Sequence, residues 1–328
     1  MAKRMTELIV LAGLLTTAAS AVDVTVNWDL QTVDEYGVYS WPEIQTSKVF
    51  TVEGIILNKP QEMCNINQQW QIYIQGEGKD RGGTAVFLSK YNYPTGQLYS
   101  DANWASEVER VSHDVNSNYE FQPGDRVRVT GLTWFYHGKT NINEQHQIAP
   151  GYNFTIDLID PAIGLPEPNV IELSDVVTET SSPIFDHTRA GGCEVYQARL
   201  VRINDVNIVS GTWAPNSEIT IRDNTGRTFP VWLGFGSGFS KYAMPTGQID
   251  VVGIFDQEST VSDLTIGYRL WVMNYDGNGS VLTDGCGLNG YHVGDINKDC
   301  AVDFADFAEL AANWLKCSNL SYNECAIP

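Results

Sequence analysis

Ten strand-like runs, in which apolar and polar positions tend to alternate with a period of two, fall along this chain in two sets of five. The first set is VFTVEGIIL (49–57), WQIYIQGE (70–77), GTAVFLSKY (83–91), GDRVRVTGLTWFY (124–136) and KTNINEQHQI (139–148). In its fourth member Val127 and Val129 fall on one face and Arg126 and Arg128 on the other, as a half-buried strand requires. The second set is YQARLVRINDVNIV (196–209), SEITIRDNTG (217–226), TFPVWLGFGSG (228–238), GQIDVVGIFDQ (247–257) and YRLWVMNY (268–275). Gly, Asn and Asp turns punctuate both sets, and helical periodicity is weak in each.

The order within the sets is the same. A long first strand is followed by a hairpin of Ile and aromatic residues, then by a Gly-led strand (GDRVRVTG in one set, GQIDVVG in the other) and a last strand. Strand count alone suits a β-sandwich as well as a barrel. The repeated order resembles the OB-fold, twice over. That resemblance implies a mainly β protein with two tandem five-stranded OB-like barrels, at 48–158 and 190–284, behind a lead segment at 22–47. The stretch 159–189 has the Pro, acidic and Ser/Thr content of a linker, although its NVIELSDV portion is apolar enough to pack on a barrel.

Both ends of the chain break the period of two. At the start, Lys3 and Arg4 precede an apolar run from Leu8 to Leu15 and the small residues Ala19, Ser20 and Ala21. This is the layout of a cleaved signal peptide over 1–21, too short to be a comfortable membrane span. A secreted or cell-surface protein with no membrane span is therefore expected. At the other end, in a Cys-rich tail at 285–328, Phe304, Phe307, Ala308, Ala311, Trp314 and Leu315 recur at helical steps.

The segment entering that helix reads DINKDCAVDFAD. Asp295, Asn297, Asp299, Asp303 and Asp306 place side-chain oxygens at positions 1, 3, 5, 9 and 12, and Ala301 offers its carbonyl at position 7. A hard cation needs six to eight oxygens gathered by one tight turn, and this is the spacing of an EF-hand-type calcium loop. Asp303 also stands where the helix needs an N-cap. The preceding GCGLNGYHVGD is too Gly-rich for an entering helix, and the last ligand is Asp rather than Glu. In both respects the segment resembles a dockerin repeat. Dockerins carry two such repeats and dock secreted proteins onto cohesin modules, often in complexes that degrade polysaccharide. The resemblance implies calcium as cofactor and a cohesin-like or cell-surface partner for the tail. This chain departs from the family in having one clear repeat and in placing Cys300 where Gly is usual.

The formal net charge of −20 repels polyanions at long range. The first barrel region holds 9 basic and 12 acidic residues, and residues 185–284 hold 7 and 11. Neither supplies the excess of Lys and Arg from which nucleic-acid binding draws much of its affinity, although a cluster of Lys79, Arg81, Lys90, Arg126 and Arg128 leaves single-strand binding open. OB barrels bind oligonucleotides or oligosaccharides on the face of strands two and three. The stacking candidates there are Trp70, Tyr73, Phe87 and Tyr91 in the first barrel and Trp213, Trp232 and Trp271 in the second, with Phe235 beside them. Alternation buries one ring where it exposes the next, so part of this set is core.

Six cysteines, an even number in an exported chain, suggest disulfides, and four of them follow position 285. The five histidines show no metal-ligand spacing, and no Ser or Cys nucleophile motif is present. The sequence therefore suggests a secreted, non-catalytic protein that binds an oligosaccharide or single-stranded nucleic acid. The competing reading is a secreted enzyme or accessory component in polysaccharide degradation, tethered by its tail.

Overall fold

A computed structural model describes residues 24–92, 97–277, 294, 296, 302 and 304–313. The lead segment starts with α1 (Asn27–Leu30), whose backbone N–H groups at Asn27 and Trp28 donate to the Asp80 carboxylate at 2.8 and 2.9 Å. The first barrel follows, with β1 (Phe50–Ile56), α2 (Pro60–Met63), β2 (Gln69–Gln75) and β3 (Gly83–Ser89). A short hairpin, β4 (Tyr91–Asn92) and β5 (Gln97–Leu98), leads into α3 (Asp101–Ser112). Next come β6 (Arg126–Tyr136), β7 (Lys139–Asn143) and β8 (Thr155–Asp160).

The strands pair in the order β1-β2-β3-β7-β6, and β6 returns to β1, closing five strands with β8 added on the outside of β6. Only β3 and β7 run parallel within the ring. That is the OB order. The inward positions are those the alternation marks: Val52, Ile72, Val86, Val127, Val129 and Ile142 form one core. The helix α3 joins that core through Trp104 and Val111, and its start is fixed by Ser100, whose hydroxyl accepts from Asn103 N–H. Leu30 and Ile44 of the lead segment are buried in the same core.

The second barrel repeats the ring with β10 (Leu200–Gly211), β11 (Ser217–Arg222), β12 (Thr228–Leu233), β13 (Ile249–Gln257) and β14 (Tyr268–Val272). Its order is β10-β11-β12-β14-β13, closed by β13 on β10, and β12 and β14 are its parallel pair. In place of α3 it has a single turn, α5 (Gly238–Lys241), which contributes Phe239 to the core. Before this ring come β9 (Asn169–Ile171), parallel to β10, and α4 (Leu173–Val176), closed by a reciprocal Glu172–Asp175 capping box. Ile171, Leu173, Val176 and Val177 belong to the second core. The stretch with linker composition is thus partly built into the barrel it precedes, because its four apolar side chains complete that core.

The two barrels also share a third cluster. Tyr73 and Ala85, on the outer side of β2 and β3, pack with Met63 and Cys64 against Leu200, Val252, Ile254 and Trp271 of the second barrel. The approach is close enough to need glycine at Gly83, where an added Cβ would lie 1.9 Å from the Ala198 carbonyl oxygen. Backbone bonds also cross the seam: Phe235 N–H donates to the Glu62 carbonyl at 2.6 Å, and Leu200 N–H to the Gln75 side-chain oxygen at 2.8 Å.

Cys64 and Cys193 are free thiols, each buried, one in the seam and one in the second core. The expectation of disulfides is corrected for these two, since the packing holds them in different clusters. The other four cysteines lie outside the described residues, as do the signal segment 1–21 and Asp295, Asn297, Asp299, Ala301 and Asp303 of the acidic loop. The helix expected after that loop is present as α6 (Phe304–Asn313), and the buried Asp306 on it accepts from Ile296 N–H at 2.5 Å. Among the described residues no helix is long and apolar enough to cross a membrane, and no group of His, Cys, Asp or Glu is arranged to hold a metal.

Candidate functional site

Residues of both barrels line a groove of about 900 Å³ along the seam between them. One wall is the outer face of the first barrel. Alternation turns Trp70, Ile72 and Ile74 inward, so Gln69, Gln71 and Tyr73 of β2 point out. Register sets Gln71 beside Phe87 of β3, and Phe87 beside Asn143 of β7. One step along, Tyr73, Ala85, Asn141 and Trp134 form the next cross-strand row. The opposite wall belongs to the second barrel, where Trp232 and Trp271 sit in register on the parallel strands β12 and β14, with Arg269 two residues before Trp271.

Charge in the seam is internally balanced. Asp256 is 1 % exposed and accepts from Tyr73 Oη and Lys139 Nζ, both at 2.5 Å, and from Arg269 Nε at 3.1 Å. Burial alone would raise its carboxyl, but the Lys139 and Arg269 charges and the Lys139 and Tyr73 hydrogen bonds outweigh it and hold the pKa below its usual value. The Tyr73 phenol is pushed well up, by burial first and then by the adjacent Asp256 charge. Arg269 also pairs with Glu258 and lies over both Trp232 and Trp271, at 5.3 and 4.6 Å from their ring centres. At the other end of the groove burial raises the Glu144 carboxyl, opposed by Arg110 at 2.5 Å and His146 at 3.1 Å.

Four of the seven stacking candidates come together here: Phe87, Tyr91, Trp232 and Trp271 all line the groove, as does Phe235. The other three are elsewhere. Trp70 is 1 % exposed in the first core, its Nε1 donating to Ser112 Oγ at 3.1 Å, and does not line this groove. Tyr73 is fully buried in the seam. Trp213 packs edge-on against Phe239 and Tyr275, its Nε1 donating to the Tyr242 carbonyl at 2.9 Å. Trp134, Tyr136 and the amides of β2 and β7 line the groove without having been singled out from sequence. The signal for the amides was the polar phase of WQIYIQ and KTNIN, in which Gln71 and Gln75 flank Tyr73 and in which Lys139, Asn141 and Asn143 alternate with Thr140 and Ile142.

Three of the five members of the basic cluster, all but Lys79 and Arg81, are held in ion pairs. Arg126 pairs with Glu77 and Asp160, Arg128 with Glu53 at 2.6 Å, and Lys90 with Asp101.

No family model matches the chain, and no curated protein matches it. Among solved structures it is similar to a murine DNA-binding protein bound with double-stranded DNA, at 10 % identity over 68 % of this chain and 93 % of that one, with a TM-score of 0.28. A second structure, on the molecular basis for abrogation of activation of pro-inflammatory cytokines, matches at 10 % identity over 71 % of this chain and 92 % of that one, again with a TM-score of 0.28. Likenesses this faint say nothing about what the groove holds.

Proposed function

We propose that this is a secreted, non-catalytic binding protein that takes an oligosaccharide into the groove between its two barrels. The observation that carries the reading is the composition of the groove wall. Partly open rings at Phe87, Tyr91, Trp134, Tyr136 and Trp232 stand among the amides of Gln71, Asn141 and Asn143, and the cations Lys139 and Arg269 are already paired with Asp256 and Glu258. Rings offer flat apolar faces to a sugar ring, and amides offer donors and acceptors to its hydroxyls. A polyanion would need unpaired cations, and pairing has removed them.

The tail enters the proposal as a calcium-dependent attachment or stabilising device. Its support is the ligand spacing in the sequence together with Asp306, which turns inward to the Ile296 N–H and so ties α6 back to the loop. Calcium would be held by Asp295, Asn297, Asp299, Asp303, Asp306 and the Ala301 carbonyl.

Calorimetric titration of the full chain with neutral oligosaccharides and with single-stranded DNA, each at low and high salt, tests the ligand class. The reading expects glycan binding that is indifferent to salt. DNA binding that weakens steeply with salt would replace it with a nucleic-acid function.

A further inference from the structure

We infer that the groove selects sugars bearing an acetamido group, an inference that rests on the oligosaccharide reading above. It starts from three polar atoms. Gln71 Nε2, Asn141 Oδ1 and Trp271 Nε1 are buried without a hydrogen-bond partner, and all three residues line this groove. The residues are 7, 4 and 8 % exposed. A buried polar group left unpaired costs on the order of 1–3 kcal/mol, so three around one groove, two on the first barrel and one on the second, form a cost that a ligand could relieve.

Their placement is specific. Asn141 is the direct cross-strand neighbour of Ala85, and Gln71 is diagonal to it through Phe87. Trp271 packs in the same cluster as Ala85 from the opposite barrel. Ala85 is the small residue in a row of Tyr73, Asn141 and Trp134, which leaves a dip there, and Met63 and Cys64 line the groove beside it. The Cys64 thiol is kept neutral, since burial pushes its pKa up to about 12, so that part of the groove is apolar and uncharged. Trp271 has Arg269 across its ring, and its indole N–H is buried beside the groove without a partner.

The site thus presents two donors, one acceptor and a small apolar patch. A carbonyl oxygen has two lone pairs for two donors, an amide N–H answers one acceptor, and a methyl group fills an apolar dip. An acetamido group carries all three in one plane. A sugar hydroxyl can answer the donors or the acceptor, but it places a polar group against Ala85, Met63 and Cys64. A carboxylate would answer both donors but would face Asn141 Oδ1 with a second acceptor and bring a charge to a surface whose cations are already paired.

The test compares β-1,4-linked tetramers of N-acetylglucosamine and of glucose, titrated calorimetrically into the full chain. The acetylated tetramer should bind at least about tenfold tighter, the equivalent of one good buried hydrogen bond. Asn141→Ala and Gln71→Ala should weaken the acetylated tetramer more than the glucose tetramer and so pull that ratio toward one, with thermal melts confirming that both variants fold. Equal or tighter binding of the glucose tetramer overturns the acetamido inference and leaves the groove as a glycan site. Variants that weaken both tetramers equally also overturn it. If neither tetramer binds the wild-type chain, the oligosaccharide reading falls and takes this inference with it.

Discussion

On the first barrel the outer positions of β2, β3 and β7 carry Gln71, Phe87, Asn141 and Asn143; on the second, the outer positions of β10 and β13 carry Leu200, Val252 and Ile254. The two barrels have the same ring order and separate inner cores, so fold alone does not set the character of an outer face. The second barrel spends much of that face on the first, and the first keeps part of its own open. What results is a composite groove that neither barrel could build alone. The seam that positions it combines apolar burial with one ionic cluster, and its strength can be measured against ordinary surface features of the same molecule.

The largest effect is expected at the ionic cluster. Asp256→Ala leaves Lys139 and Arg269 buried with their shared partner removed, and should cost about 3–5 kcal/mol in urea unfolding. A loss of less than about 1 kcal/mol would mean that the seam is wet and loosely held. Next comes apolar packing: Ile254, 1 % exposed in the seam, should cost about 2–4 kcal/mol when cut to Ala, comparable with a residue of either inner core. If unfolding instead splits into two transitions on this change, the barrels are held together chiefly by that contact.

Two buried carboxylates of the second barrel should respond to pH in opposite senses. Asp256 has a folded pKa below its ordinary 3.8, so its contribution is present above that value and is lost as pH falls through the lower, folded one. Glu194 is the reverse. Burial, opposed by the Tyr268 hydrogen bond and Arg189, raises its pKa from 4.5 to about 7, so stability declines as pH rises from 4.5 toward 7, by about 2–3 kcal/mol. Glu194→Gln keeps an acceptor for Tyr268 Oη, now at 2.5 Å from Glu194, and removes the ionisable group. Melts at pH 5 and pH 8 should find the variant near wild type at the lower pH and more stable at the higher; an unchanged difference would place the charged form of Glu194 comfortably in the fold. The smallest effect is at the surface, where Arg128→Ala breaks a pair with Glu53 and should cost less than about 1 kcal/mol.

Much of the ring architecture was legible because each barrel strand carries its own alternation. The phase of that alternation also held information about the rings: Gln69, Gln71 and Gln75 share one face of β2, so Trp70 had to face the other. The seam was harder to see. Its sequence signal is the VVGIF centre of GQIDVVGIFDQ, apolar on both faces, where a strand of a free-standing barrel would be polar on one. The groove was not legible as a site because its walls come from residues far apart in the chain, such as Gln71 and Phe87 on one side and Trp232 and Trp271 on the other, brought together by side-chain packing that no local pattern encodes. Within 159–189, NVIELSDV carried the signal for packing: its Ile171, Leu173 and Val176, with the following Val177, are few, but they fill the end of a core built by later strands.

The central claim, that the ligand lies between the barrels, is tested most directly by two tryptophans of the second barrel. Trp232 lines the groove, and Trp213 is packed against Phe239 and Tyr275 away from it. With the best-binding oligosaccharide titrated into the full-length variants, Trp232→Ala should lose about 1–3 kcal/mol of binding, while Trp213→Ala should lower the melting temperature and leave affinity within about twofold. Loss of binding in Trp213→Ala with full affinity in Trp232→Ala would contradict the account and move the ligand off the groove.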